Sequence, residues 1–424
     1  MTILVLAIFI IGYLLIAFEH PLKLNKAASA LLTGVLCWTI YIFSQTQKEV
    51  VVEELLHHLG EIASILFFLL GAMTIVELID SHDGFKIITN KIKTRSKSRL
   101  LWIIAIITFF LSALLDNLTT AIVMTSLITK LLKEKEDRLW FVGLIIIAAN
   151  AGGAFSPLGD VTTTMLWIGN QITALNIIKE LFIPSIFVCL IPLLILSYKF
   201  RKQTFIFENV KDDNFNEKEA NLVLIVGIAM LLFVPIFKMI THLPPFMGVM
   251  LALSILWVFV SIIHKDKPED VKNKYMVTHA LQKVDSPSIL FFLGILLAVS
   301  SLQSFGILGT MAESLTSTLK DEYLIGTVLG LLSAVVDNVP LVAAVQGMFS
   351  LEQYPTDHHF WEFLALTTGT GGSAIIIGSA AGVAAMGIEN VDFMWYLKKI
   401  SWLALIGFFA GILVFLGESY LFNF

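Results

Sequence analysis

The chain has 424 residues, 57% of them hydrophobic and only 14% charged, with a mean hydropathy of +0.85. Soluble domains carry about 25% charged residues, so this composition excludes a water-soluble globular protein and sends the apolar surplus to lipid. The net charge of −5 says little, because in a membrane protein the placement of charge matters more than its sum.

A membrane helix needs roughly 20 apolar residues. Apolar stretches run at about 2–18, 27–43, 62–79, 100–132 (interrupted), 139–170 (interrupted) and 178–198. A charged loop follows at 199–219, and then come 220–240, 246–263, 287–304, 323–349 (interrupted), 360–388 (interrupted) and 400–422. Met1-Thr2-Ile3 has no basic region, so the first stretch reads as a membrane helix rather than a cleaved signal. Cys37 and Cys189 stand alone in apolar runs and read as small core residues with neither a disulfide nor a metal.

The order of long and interrupted stretches repeats across the charged loop, and so does the sequence. Ser64-Ile65-Leu66-Phe67-Phe68-Leu69 recurs as Ser288-Ile289-Leu290-Phe291-Phe292-Leu293, 224 residues on. Ser112-Ala-Leu-Leu-Asp116-Asn117 recurs as Ser333-Ala-Val-Val-Asp337-Asn338, 221 residues on. Asn150-Ala-Gly152-Gly153-Ala recurs loosely as Gly369-Thr-Gly371-Gly372-Ser, 219 residues on. Single apolar hexamers match by chance in such a chain. Three blocks in one order at nearly constant offset point to duplication. The expected organisation is a first repeat over 1–198, a linker over 199–219 and a second repeat over 220–424.

Lys and Arg set the topology by the positive-inside rule. The loop before Asp116 carries Lys86, Lys91, Lys93, Arg95, Lys97 and Arg99, and the loop after it carries Lys130, Lys133, Lys135 and Arg138. Both flanks are basic, so stretch 100–132 is expected to enter and return on the cytoplasmic side as a re-entrant hairpin with Asp116-Asn117 near its tip. The flanks of 323–349 carry Lys320 among Asp321, Glu322, Glu352 and Asp357, which predicts a hairpin entering from outside. Each half then crosses five times, and an odd number inverts one half relative to the other. Threaded this way, all 28 Lys and Arg lie inside except Lys48, Lys179, Lys238 and Lys320, and both termini are periplasmic. The expected fold class is an all-α polytopic membrane protein of two inverted repeats, each with a re-entrant helical hairpin and a broken helix.

Irregular backbone at membrane depth is tolerated only where protein or a water-filled cavity satisfies it, and inverted-repeat transporters build midplane sites from such breaks. Here the breaks are the two hairpin tips, the run Asn150 to Thr163 in the broken helix 139–170, and the run Thr367 to Ser379 in the broken helix 360–388. Asp116, Asp160 and Asp337 each lie beside a break in an otherwise apolar stretch. A central Asp costs roughly 2.5–3.5 kcal/mol on insertion scales and marks ion or proton pathways. The plainer reading is that each Asp caps a half-helix, and capping is compatible with ion binding. With the amides of Asn117, Asn150 and Asn338 and the neighbouring Ser and Thr hydroxyls, these carboxylates form an oxygen set suited to a hard cation. None of these breaks holds a Lys or Arg, which argues against an anionic cargo.

The nine histidines fall in loops or at stretch ends and read as solvated, so proton coupling points to the acids. Desolvation favours the neutral form of a carboxyl group, which lets H⁺ and a hard cation compete for one site. Glu77, Asp80 and Glu313 sit near stretch ends and read as interfacial, with a pH-sensing role open to them. Trp140, Trp395, Tyr396 and Trp402 read as interface-belt residues.

Taken together, Ser112-x-x-x-Asp116-Asn117-x-Thr119-Thr120, Asn150-Ala-Gly-Gly-Ala-x-Ser-Pro157-x-Gly159-Asp160-Val-Thr162-Thr163 and Ser333-x-x-x-Asp337-Asn338-x-Pro340 resemble the NhaD-type Na⁺/H⁺ antiporters of the ion transporter superfamily. The resemblance covers roughly 60–420. Dicarboxylate carriers of that superfamily typically have Ser-Asn-Thr at the hairpin tips, where this chain has Asp-Asn. The second half departs from the first, with Ser379 standing where Asp160 stands. The resemblance implies a homodimer in the bacterial inner membrane, an elevator-like transport domain, and Na⁺ (or Li⁺) and H⁺ as substrates without a cofactor or nucleic-acid partner. It implies Asp116, Asn117, Asn150, Asp160, Thr162, Thr163, Ser333, Asp337, Asn338 and Ser373 as the functional set, with the three Asp as joint cation and proton carriers. A carboxylate or arsenite carrier of the same fold stays open. So, more weakly, does an intramembrane aspartyl protease, from the fragment Gly159-Asp160.

Overall fold

The computed structural model describes residues 1–17, 19–89, 94–204, 216–268, 272–273 and 275–422. Lys91, Lys93 and most of the 199–219 linker therefore lie outside the described residues.

The chain folds into helices α1 (Thr2–Ala17), α2 (Lys26–Ser44), α3 (Lys48–Ser81), α4 (Lys97–Leu115), α5 (Asn117–Leu131), α6 (Lys135–Ala154), α7 (Val161–Ile168) and α8 (Ala174–Lys199). After the linker come α9 (Glu217–Thr241), α10 (Pro245–Ile263), α11 (Ser286–Ser304), α12 (Ile307–Leu319), α13 (Glu322–Leu332), α14 (Asn338–Met348), α15 (His359–Gly371), α16 (Ala380–Glu389) and α17 (Ser401–Phe422), with short helical turns between some of them. Among the described residues nine helices are long and apolar enough to cross a bilayer. Their outer faces expose large apolar side chains such as Leu32, Phe43, Ile225, Ile240 and Val258, as expected where the solvent is lipid. The protein is an all-α polytopic membrane protein.

Helix α3 begins at Lys48, well before the apolar stretch expected from residue 62, so His57 and His58 lie on a helix rather than in a loop. The histidines as a class are not all solvated either. His82 and His264 are buried, with 5% and 1% of their surface exposed, because the ends of α3 and α10 are covered by α9 and the segment around Tyr275. Placement of the His20 side chain is outside the described residues.

Helices α4 and α5 meet at Asp116. Lys97 at the start of α4 pairs with Asp137 at the start of α6 at 2.5 Å. Helix α5 runs into α6 across residues 132–134 alone, and Arg138 donates to the Leu132 carbonyl at 3.2 Å. The start of α4 and the end of α5 therefore lie at one end of the molecule. In the second half the rings of Tyr323 and Phe363 lie 5.2 Å apart and those of Phe349 and Phe360 5.1 Å apart. The start of α13, the end of α14 and the start of α15 are thus gathered in the same way.

One kind of close packing recurs across the halves. A Cβ on Gly152 would stand 2.1 Å from the Phe109 carbonyl oxygen, and one on Gly371 would stand 2.0 Å from that of Gly330. The Ser112 hydroxyl donates to the Ala149 carbonyl at 2.6 Å, and that of Ser333 donates to the Thr368 carbonyl at 2.7 Å. Small residues let membrane helices approach backbone to backbone, and the two approaches set α4 against α6 and α13 against α15.

Candidate functional site

The unwound segments converge in the interior. Pro157 lacks an N–H for the helical ladder, and residues 155–160 run as turns between α6 and α7, every one of them buried. The loose backbone is held by its neighbours. Ser156 donates to the Ala113 carbonyl at 2.5 Å, and Thr164 donates to the Pro157 carbonyl at 2.8 Å.

Each Asp caps the helix that follows it. Asp116 accepts from the Thr119 N–H at 2.7 Å and from the Thr119 hydroxyl at 2.8 Å. Asp160 accepts from the Thr162 N–H at 3.1 Å, and Asp337 from the Val339 N–H at 3.1 Å. A carboxylate at a helix N-terminus also meets the positive end of the helix dipole. Asp116 does this with φ 124° and ψ 157°, a region that is essentially glycine-only and costs on the order of 1–3 kcal/mol. Asp337, its counterpart, has φ −48° and ψ 135°, so the two tips differ in shape.

The caps then join through amides. Asn117 donates to the Asp160 Oδ2 at 2.8 Å and to the Asn150 Oδ1 at 3.1 Å. Asn338 donates to the same Asp160 oxygen at 3.2 Å. Asn150 donates onward to the hydroxyls of Ser373 at 2.8 Å and Ser379 at 3.0 Å. One carboxylate thus receives an amide from each half, and one network crosses both halves.

A cavity opens onto this network. Asp116, Asn117, Asp160, Asp337 and Asn338 line it, with Thr164, Ser288, Phe68, Phe291 and Lys26. Of the residues expected from sequence, Asn150 stands one hydrogen bond behind the lining, through Asn117, and Ser373 stands two behind it, through Asn150. Thr162, Thr163 and Ser333 are buried but not among the lining residues. The Thr163 hydroxyl donates to the Asp160 carbonyl at 2.9 Å, and that of Ser333 is directed at Thr368. Two residues escaped the sequence reading. Lys26, at the start of α2, reaches the cavity wall with its ammonium 4.9 Å from the Phe291 ring centre. It stands at the edge of an apolar stretch, where nothing in the local sequence marks it. Tyr396 is no belt residue. It is buried, and its hydroxyl donates to the Ser373 carbonyl at 2.8 Å.

Residues 13–371 match the family model described as citrate transporter. The chain is 47% identical over 415 residues to sodium/proton antiporter 1 of Arabidopsis thaliana, covering 96% of this chain and 71% of that protein. It is 32% identical over 443 residues to the Na⁺/H⁺ antiporter NhaD of Vibrio cholerae, covering 97% of this chain and 90% of that one. The chain belongs to the NhaD-type Na⁺/H⁺ antiporter family. Members of this antiporter family are carriers rather than enzymes, which removes the aspartyl protease reading of Gly159-Asp160.

Proposed function

We propose that this chain exchanges Na⁺ (or Li⁺) for H⁺ across a membrane, with cation and proton competing for the carboxylates of Asp116, Asp160 and Asp337. The observation that carries this reading is the convergence on Asp160. Amides from both hairpin tips meet its one carboxylate, beside a cavity that two further Asp share. A hard cation is bound by oxygen, and three carboxylates around one cavity favour a cation over an anion. When the cation leaves, the same oxygens take a proton, so each ion displaces the other and exchange needs no second site.

The cavity wall includes Lys26 and Ser288, near the starts of α2 and α11. The positive-inside reading assigns those ends to the cytoplasm, so the cation would enter from there in this conformation. The repeated close contacts of Gly152 and Gly371 support two inverted halves, each with a hairpin (100–132 and 323–349) and a broken helix (139–170 and 360–388). The proposal further holds that the hairpins move together as an elevator within a homodimer, with both termini periplasmic in a bacterial inner membrane. Family likeness is the support for the elevator, the homodimer and the bacterial membrane, and the placement of Lys and Arg is the support for the periplasmic termini.

Lys26 favours a second reading, a carrier of a carboxylate, because an ammonium could meet an anionic cargo. The test separates the two. Everted vesicles from cells lacking other antiporters are given an acid interior followed by a pH-sensitive dye. Collapse of the gradient on adding Na⁺ or Li⁺, absent in Asp160→Asn, supports the exchange. Collapse with citrate and not with Na⁺ would overturn it.

A further inference from the structure

Away from this cavity, three ligand-type side chains meet at one end of the molecule. His82 closes α3, Glu219 lies in the first turn of α9 and His264 closes α10. The Nε2 atoms of His82 and His264 are 3.0 Å apart, and the Oε1 of Glu219 lies 3.1 Å from the His264 Nε2. One atom from each of the three residues falls within 4.8 Å of the others.

The surroundings orient these atoms. The His82 Nδ1 lies 2.6 Å from the Leu78 carbonyl oxygen. A carbonyl can only accept, so Nδ1 carries the proton and Nε2 presents its lone pair to the cluster. Such a carbonyl partner is the usual second support of a metal-bound imidazole. The other oxygen of Glu219 is held by the Lys267 ammonium at 2.6 Å and the Asn216 amide at 3.1 Å, which leaves Oε1 turned inward. The Tyr275 ring stacks on His264 at 5.0 Å and lies 4.9 Å from His82, covering the group.

Hydrogen bonds alone do not satisfy this arrangement. A proton on the His264 Nε2 can serve either the His82 lone pair or the Glu219 oxygen. The His264 Nδ1 is buried without a hydrogen-bond partner whether Nε2 carries the proton or binds a metal, so the choice rests on the three inward atoms. A cation at the centre would satisfy all three inward atoms together. Zinc–nitrogen and zinc–oxygen bonds of about 2.0–2.2 Å in a tetrahedron separate neighbouring ligands by about 3.3 Å, close to the two separations seen.

We propose that His82, Glu219 and His264 bind a divalent transition-metal ion of the Zn²⁺ type, separate from the transport cavity. Two imidazoles and a carboxylate match the ligand chemistry of zinc, with a fourth position for water. The ion ties the end of α3 to α9 and α10, across the two halves of the sequence, and fixes the helix that follows the linker.

The test uses the full-length chain without a histidine tag, purified in detergent. Equilibrium dialysis against Zn²⁺ should give about one ion per chain for wild type and none at the same free metal for Glu219→Gln, His82→Gln or His264→Gln. Zn²⁺ should also raise the melting temperature of wild type and leave that of Glu219→Gln unmoved, as binding to the folded state alone requires. Co²⁺ in wild type should give the intense visible bands of a tetrahedral site, a readout that needs no variant. Equal Zn²⁺ retention by wild type and Glu219→Gln, or a weak octahedral Co²⁺ spectrum, would overturn the assignment.

Discussion

Asn117 and Asp160 are joined by a 2.8 Å hydrogen bond between the tip of one hairpin and the cap of one broken helix. That bond makes the tip and the cap a single unit. The amide of Asn338 approaches the same carboxylate from the other half at 3.2 Å and 3.5 Å, and Asn117 alone also holds Asn150. Asn117→Ala is therefore expected to raise the half-saturating Na⁺ concentration more than Asn338→Ala, by about tenfold against a fewfold, since a buried hydrogen bond to a charged group contributes about 1.5–3 kcal/mol. Asp160→Asn should remove exchange outright with protein still in the membrane. Dye-based Na⁺ titrations in everted vesicles measure all three. Equal effects of the two Ala variants would deny the asymmetry.

Asp116 combines backbone strain with a helix cap. Its φ of 124° suits glycine, while its carboxylate caps α5. Asp116→Ala loses the cap at about 0.5–2 kcal/mol, and Asp116→Gly loses it at only about a few tenths. Only glycine relieves the backbone, worth about 1–3 kcal/mol. Asp116→Gly should thus melt higher than Asp116→Ala, and neither should exchange ions. Thermal unfolding in detergent, followed by tryptophan fluorescence, decides the order. A lower melting point for the glycine variant would mean that the tip relaxes without strain.

Much of this was legible in the sequence because the cost of breaking a helix in lipid leaves visible marks. Asp beside Asn at a tip, Pro157 and the paired glycines are local signals, and the helix breaks fall at them. Lys26, Tyr396, His82 and His264 left no such mark. Each is an ordinary interfacial or loop residue until a distant segment packs on it. Lys26 meets Phe291, Tyr396 meets Ser373, and His82 meets His264. Contacts at such separations follow from the way the halves pack, and hydropathy does not encode it. The start of α3 was misjudged for a different reason: residues 48–61 are too polar to read as membrane but are helical all the same.

The glycine approaches give a packing prediction. At Gly152 an added Cβ would meet backbone rather than a flexible side chain, at 2.1 Å from the Phe109 carbonyl oxygen. Neither partner can move without shifting a whole helix. Gly152→Ala should cost several kcal/mol, above the typical 1–3 kcal/mol of core overpacking, and sharply reduce folded protein in the membrane. Gly60→Ala, with open space at its Cβ, is the control and should express as wild type. Fluorescence-detected gel filtration reads both. Normal yield of Gly152→Ala would mean that the hairpin and broken helix are not packed backbone to backbone.

The course of α4 and α5 can be tested by accessibility. Arg95 precedes α4, and Glu136 lies in the first turn of α6. The Lys97–Asp137 pair at 2.5 Å puts these neighbouring positions at one end. If the two helices form a re-entrant hairpin, single cysteines at 95 and 136, in a chain with Cys37 and Cys189 replaced, should be labelled by an impermeant maleimide from the same side of the membrane. The clustered Lys and Arg make that side the cytoplasm, so label added to intact cells should reach neither and label added to everted vesicles should reach both. A simple span would place the two positions on opposite sides and give one reaction in each preparation. That pattern would also put Lys130, Lys133, Lys135 and Arg138 outside, against the rule that governs every other basic loop in the chain, and it would break the two-hairpin topology at its first element.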